Sequence, residues 1–128
     1  MVRLLWIALG GALGALARHG TGALCERLLG PELPWGTFTV NAVGSFLLGV
    51  LLEAFARHDG VDPGLQAMLV TGFLGAFTTF STYSVQSVRL MERGDYGWAA
   101  ANVLGNVVVG LSLAALGIAL ARRVTGSW

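Results

Sequence analysis

Four apolar stretches, residues 4–24, 37–55, 65–88 and 98–121, leave this chain few ways to fold. At 1.5 Å per residue a helix over each covers about 30 Å or more, the thickness of a bilayer's hydrocarbon core. Lipid offers no partner to the backbone groups of an open strand, so each stretch is expected to cross as a helix. Only 12% of the residues are charged, where a soluble domain carries roughly a quarter. The chain is therefore read as an all-α membrane protein with four transmembrane helices in one domain, residues 1–128. Its connections are short: Gly30-Pro-Glu-Leu-Pro34, His58-Asp-Gly-Val-Asp-Pro63 and Glu92-Arg-Gly-Asp95. Arg3 followed by an apolar stretch ending in Ala15-Leu-Ala17 imitates a cleaved signal. Three further apolar stretches follow it, so it is read as a retained first helix.

Charge placement bears on assembly. Four crossings put Arg3, Arg57, Arg122 and Arg123 on one side, against Arg27, Arg89 and Arg93 on the other. Arg18 joins the second set if it lies near a helix end. The positive-inside rule orients a chain by such asymmetry, and here there is almost none. Either the charges are too few to orient the chain, or copies insert both ways and pair antiparallel. The second alternative is a dual-topology homodimer, with a two-fold axis in the membrane plane. Glycines suit close helix contact: Gly10 and Gly14 form a Gly-x-x-x-Gly spacing, and Gly44, Gly49, Gly105, Gly110 and Gly117 extend the pattern.

Several function classes drop out. A net charge of +1 provides no basic field for nucleic acid. Cys25 is the single cysteine, and His19 and His58 have no Cys/His cluster around them, which argues against zinc or iron. No nucleophile–base pair suggests an enzyme. No Asp or Glu falls in the centre of any apolar stretch; Glu53, the nearest, sits towards the end of the second. Proton-driven transporters need a titratable group at mid-membrane, so a passive path is favoured, and one for an anion or neutral solute.

The polar groups that do lie within the stretches are concentrated. Gly72-Phe-Leu-Gly-Ala-Phe-Thr-Thr-Phe-Ser-Thr-Tyr-Ser84 joins two glycines to a dense run of hydroxyls and rings. Gly75 in mid-helix costs about 1 kcal/mol relative to Ala, and a helix broken there frees carbonyls that suit Na⁺. The third helix is accordingly expected to break near its middle, with Gly75 and Thr78 offering backbone oxygens. Beyond the break, Phe80 and Tyr83 are three apart and share a face with Ser81, Thr82 and Ser84 beside them. Ring edges carry partial positive charge, and hydroxyl or amide donors supply the rest of an anion's shell. Asn41 is the amide best placed by its neighbours to do so; Asn102 and Asn106 share a face in the fourth helix, either lining a wet path or bonding a neighbouring helix. Arg18 either snorkels to the interface or lines a vestibule that concentrates anions.

On these residues the chain resembles the Fluc (CrcB) family of fluoride channels. The resemblance is carried by the run from Gly72 to Ser84, by Gly10-Gly-Ala-Leu-Gly-Ala-Leu-Ala-Arg18 and by Gly36-Thr-Phe-Thr-Val-Asn-Ala-Val-Gly-Ser-Phe46. It implies an antiparallel homodimer in the microbial cell (inner) membrane, with two pores that export fluoride passively. It also implies one structural Na⁺ at the dimer centre, held by backbone carbonyls that correspond to Gly75 and Thr78. The family's pore phenylalanines correspond to Phe80 and Tyr83, its pore asparagine to Asn41 and its first-helix arginine to Arg18. Thr79, Ser81, Thr82 and Ser84 then line the path, and Asn106 and Ser112 match the variable fourth-helix polar positions. Tyr83 departs from the usual Phe by a hydroxyl that either donates to the anion or narrows the path.

Two other classes compete. A small multidrug-resistance-type antiporter also has four spans and dual topology, but needs a carboxylate in its first helix, and the first 24 residues contain none. A non-transporting helical subunit would explain the glycines but not the hydroxyl–aromatic run.

Overall fold

The structure, a computed structural model, describes residues 1–58 and 60–126; Asp59, in the second connection, lies outside the described residues. All regular structure among them is helical. Helix α1 is Val2–Leu29 and α2 is Trp35–Arg57. The third element, α3, is composite: a first turn Pro63–Gln66, a π-helical stretch Ala67–Leu74 and a last turn Gly75–Phe77. Helix α4 is Phe80–Glu92 and α5 is Tyr96–Val124.

Three segments are long and apolar enough to cross a membrane: Trp35–Arg57, Pro63–Glu92 and Tyr96–Val124. Helix α1 has the length, 28 residues, or about 42 Å of rise. Arg18 and His19 in its middle dilute its apolar character. The helices also run past the apolar stretches, because backbone hydrogen bonding continues where lipid ends: α1 takes in Glu26 and Arg27, and α5 takes in Arg122 and Arg123. Gly30, at φ 84°, and Gly94, at φ 83°, turn the chain out of α1 and α4; such angles suit glycine above other residues.

Glycine contacts set the register of two parallel helix pairs. Along α1 and α3, Gly64 packs on Trp6, Gly72 on Ile7 and Gly10, and Gly14 on Phe73. A Cβ at Gly10 would stand 2.1 Å from the Met68 carbonyl oxygen, and one at Gly72 would stand 2.6 Å from that of Ile7. Backbone therefore lies directly on backbone. The contacts advance in the same direction along both helices, so α1 and α3 run parallel. Along α2 and α5, Gly105 faces Phe38, Gly49 faces Ala114 and Gly117 faces Phe46. Beyond them Glu53 holds Arg57 of its own helix and Arg122 of α5, the latter at 3.1 Å. This pair is parallel too, while α1 and α2 meet head to tail at Gly22 and Gly36. Consecutive full-length segments thus alternate in direction.

The core is small: Val40, Leu74 and Phe77 are buried, with Ala17, Leu48, Leu51 and Phe73 packed against them. Large apolar side chains such as Leu16, Val108 and Leu111 face outward, as lipid-facing or partner-facing surface does.

The third segment is broken in its middle, but not at Gly75, whose φ −61° and ψ −35° are helical. The chain leaves the helix at Thr78 (φ −84°, ψ 159°) and stays extended through Thr79 (φ −155°, ψ 114°). Glycine makes a break cheap without fixing where it falls. The position is fixed by what receives the released backbone groups.

Candidate functional site

Thr79 receives those partners from a helix 38 residues away. Its N–H donates to Asn41 Oδ1 at 2.8 Å, and its carbonyl accepts from Asn41 Nδ2 at 3.1 Å. A backbone N–H can only donate, so the Thr79 proton fixes which end of the Asn41 amide faces it. The Thr79 side chain then caps α4: its Oγ1 accepts from the Thr82 N–H at 3.2 Å and donates to Thr82 Oγ1 at 3.0 Å. This is the N-cap expected of a threonine in extended conformation ahead of a helix.

The amide of Asn41 opens a longer chain of hydrogen bonds. Asn41 Nδ2 donates to Asn106 Oδ1 at 3.0 Å, and Asn106 Nδ2 donates to Asn102 Oδ1 at 3.1 Å. Asn102 Nδ2 donates to Ser87 Oγ at 2.9 Å, and the Ser87 hydroxyl donates to the Tyr83 carbonyl at 2.9 Å. The chain leaves the break, crosses α2 and α5, and returns to α4 one turn beyond its start. Phe80 and Tyr83 have ring centroids 5.3 Å apart and planes tilted by 53°. Phe80 is 78% exposed while Tyr83 is buried.

Two cavities meet at Thr79. The first, of about 380 Å³, is lined by Asn41, Ser45, Gly75, Thr78, Thr79, Phe80, Tyr83 and Asn106. The second, also about 380 Å³, is lined by Arg18, His19, Thr37, Val40, Thr79 and Thr82. It shares His19, Gly22, Gly36 and Thr37 with a mouth of about 510 Å³, where Glu26, Glu32, Arg89 and Arg93 also stand. Arg18 lies well inside α1 and is half-buried, and among the described residues its guanidinium has no carboxylate partner. A cation so placed raises the local concentration of anions, and low-dielectric walls strengthen its field.

The residues singled out from sequence therefore fall into groups. Asn41, Thr79, Phe80, Tyr83 and Asn106 line the first cavity together with Gly75 and Thr78. Arg18, Thr79 and Thr82 line the second. Ser81 touches Thr79 Oγ1 at 3.3 Å, and Ser84 donates back to the Phe80 carbonyl at 2.8 Å, but neither lines either of these two cavities. Ser112 is exposed in α5 and lies outside both cavities. Sequence reasoning missed Ser87 and Thr37, both buried. The signal for Ser87 was its place one turn after Tyr83; Thr37 lay within a motif already noted but carried no separate mark.

A family model described as "CrcB-like protein, Camphor Resistance (CrcB)" matches residues 5–118. A protein of Agrobacterium fabrum named "Fluoride-specific ion channel FluC" is 44% identical over 124 residues, 97% of this chain and 99% of its own. Relatives of the same name from Syntrophotalea carbinolica and Magnetococcus marinus are 45% and 39% identical, each over 123 residues, 96% of this chain and 100% of their own.

Proposed function

The chain belongs to the CrcB-like family, and on that premise we propose that it is a fluoride-selective passive channel. It exports fluoride across the plasma (inner) membrane of a bacterial cell as an antiparallel, dual-topology homodimer, with α1 as the fourth crossing. Its relatives are named as ion channels, and a channel of this kind is a transport protein rather than an enzyme.

The observation that carries the reading is Arg18, without a carboxylate partner among the described residues, in a hydroxyl-lined cavity that shares Thr79 with an aromatic-lined one. Arg18 draws an anion in, and the hydroxyls of Thr37, Thr79 and Thr82 replace part of its water. Past Thr79 the ring edges of Phe80 and Tyr83, which line the first cavity, take over. A small hard anion gains most from such a short, dense set of donors. Ser81, Ser84 and Ser112 lie outside both cavities of one copy, so any contact they make with the ion is in the assembled dimer.

A structural Na⁺ fits the donors present. In a continuous helix the Thr79 N–H would bond the Gly75 carbonyl; here it goes to Asn41 instead. Gly75 and Thr78 line the first cavity, and the backbone oxygens of a broken helix suit Na⁺. Bound there, the ion supplies a positive charge that ties the broken segments of two copies together.

Fluoride efflux from liposomes holding the purified protein tests the function. Rapid fluoride loss with little chloride loss is expected; no flux, or equal flux of both ions, overturns it.

A further inference from the structure

The hydrogen-bond chain beyond Asn41 reaches residues that lie outside the two cavities meeting at Thr79. Asn102 is 8% exposed and Ser87 is 4% exposed, and neither lines the two cavities that meet at Thr79. Their partners do line one. Both N–H groups of Asn106 point at Asn102, one to its Oδ1 at 3.1 Å and one to its backbone carbonyl at 2.9 Å. That leaves Asn106 Oδ1 turned towards Asn41, whose remaining N–H it accepts. Asn102 itself is held by Ser87, whose own proton is committed to the Tyr83 carbonyl. Every donor in the series points the same way, and its sense is fixed at one end by the Thr79 N–H.

We propose that Asn102 and Ser87 are positioning residues that set the channel's fluoride throughput and selectivity without contacting the ion. The inference rests on the channel reading given above. Without Ser87 Oγ, the Asn102 amide has no acceptor and is free to turn. Asn106 then loses the oxygen that orients it, and Asn41 loses the acceptor that holds its second N–H in place. The consequence is a change in the polar wall that Asn106 and Asn41 give the first cavity, two and three hydrogen bonds from the altered side chain. Buried polar series of this type act as units, because a half-satisfied one costs more than an apolar replacement.

The test compares Ser87→Ala, Ser87→Thr and Asn102→Leu with the unaltered chain in liposomes. Fluoride and chloride efflux are measured alongside the elution profile in detergent. With Ser87→Ala, fluoride efflux is expected to fall roughly tenfold, the effect of one lost buried acceptor, and the fluoride-to-chloride ratio should fall with it. Ser87→Thr, which keeps the hydroxyl, should retain flux and ratio within about twofold on the same scale. Asn102→Leu should match or exceed the alanine effect; if it does not fold, the Ser87 pair decides the matter. Wild-type flux and ratio in Ser87→Ala, or equal losses in Ser87→Ala and Ser87→Thr, overturn the proposal. Absence of fluoride efflux in the unaltered chain defeats the channel reading instead, so the two failures are distinguishable.

Discussion

Asn41 meets both backbone groups of Thr79, accepting its N–H at 2.8 Å and donating to its carbonyl at 3.1 Å. One side chain thereby does for an extended residue what a neighbouring strand does in a sheet. Neither half of the broken segment supplies these bonds, so the shape of the break depends on α2.

Asn41→Ala removes that support and leaves the buried Thr79 N–H without an acceptor. The expected destabilisation is about 2–4 kcal/mol, from several lost hydrogen bonds and one orphaned donor. Fluoride efflux should fall with it. Thermal unfolding in detergent, read beside liposome flux, checks both; an unchanged midpoint would show that the break stands without Asn41.

Phe80→Ile separates pathway from packing. Phe80 is 78% exposed in the single chain, so its replacement should alter that chain's stability by no more than about 0.5 kcal/mol. Loss of the ring that lines the first cavity should cut fluoride efflux severely while the elution profile stays normal. Undiminished efflux removes Phe80 from the path.

Arg18→Gln tests long-range attraction. The guanidinium has no carboxylate partner among the described residues, so its loss leaves no buried acid uncompensated. Fluoride efflux is expected to drop severalfold at low ionic strength. The gap between variant and unaltered chain should narrow as salt rises, because screening shortens from about 30 Å at 0.01 M to about 10 Å at 0.1 M. A salt-independent deficit would mean that Arg18 acts by contact or packing.

Gly10→Ala and Gly20→Ala form a matched pair in α1. A Cβ at Gly10 would meet the Met68 carbonyl oxygen, whereas at Gly20 there is nothing within 4 Å. The first should destabilise by about 1–3 kcal/mol or more through forced separation of backbones. The second should be neutral or stabilise by up to about 1 kcal/mol through helix propensity. Equal unfolding midpoints for the two would contradict the backbone contact between α1 and α3.

Replacing Na⁺ with a bulky organic cation probes the Gly75 and Thr78 carbonyls. Loss of dimer or of efflux, reversed on returning Na⁺, is the expected outcome. Indifference to the cation on size-exclusion and flux assays would refute the site.

The helical plan was legible because apolar length and the near absence of internal charge admit little else. The hydroxyl–aromatic run also stood out, and Gly75, Thr78, Thr79, Phe80 and Tyr83 do gather on one cavity. The break was expected across Gly75 to Thr78 and falls at the far end of that range, at Thr78 and Thr79, because glycine marks only where a helix is weak. Its real position comes from an amide in another helix, a relation that no local window contains. The π-helical stretch Ala67–Leu74 had no signal either: its sequence is ordinarily apolar, and its widened turns accompany the backbone contact of Gly72 with α1. Asn102 and Asn106 could be paired from their spacing of four. Joining them to Ser87 required knowing how α4 folds back on α5.

The one-way order of the amide series has a consequence for how such a chain can change over generations. A substitution at Asn41, Asn102 or Asn106, or one at Ser87 that removes the hydroxyl, reverses or deletes a donor that its neighbour has already matched. Single steps are therefore penalised, while a coordinated replacement of several rungs is not. These four positions should be inherited as a block and should vary together among descendants, although they are scattered over three helices.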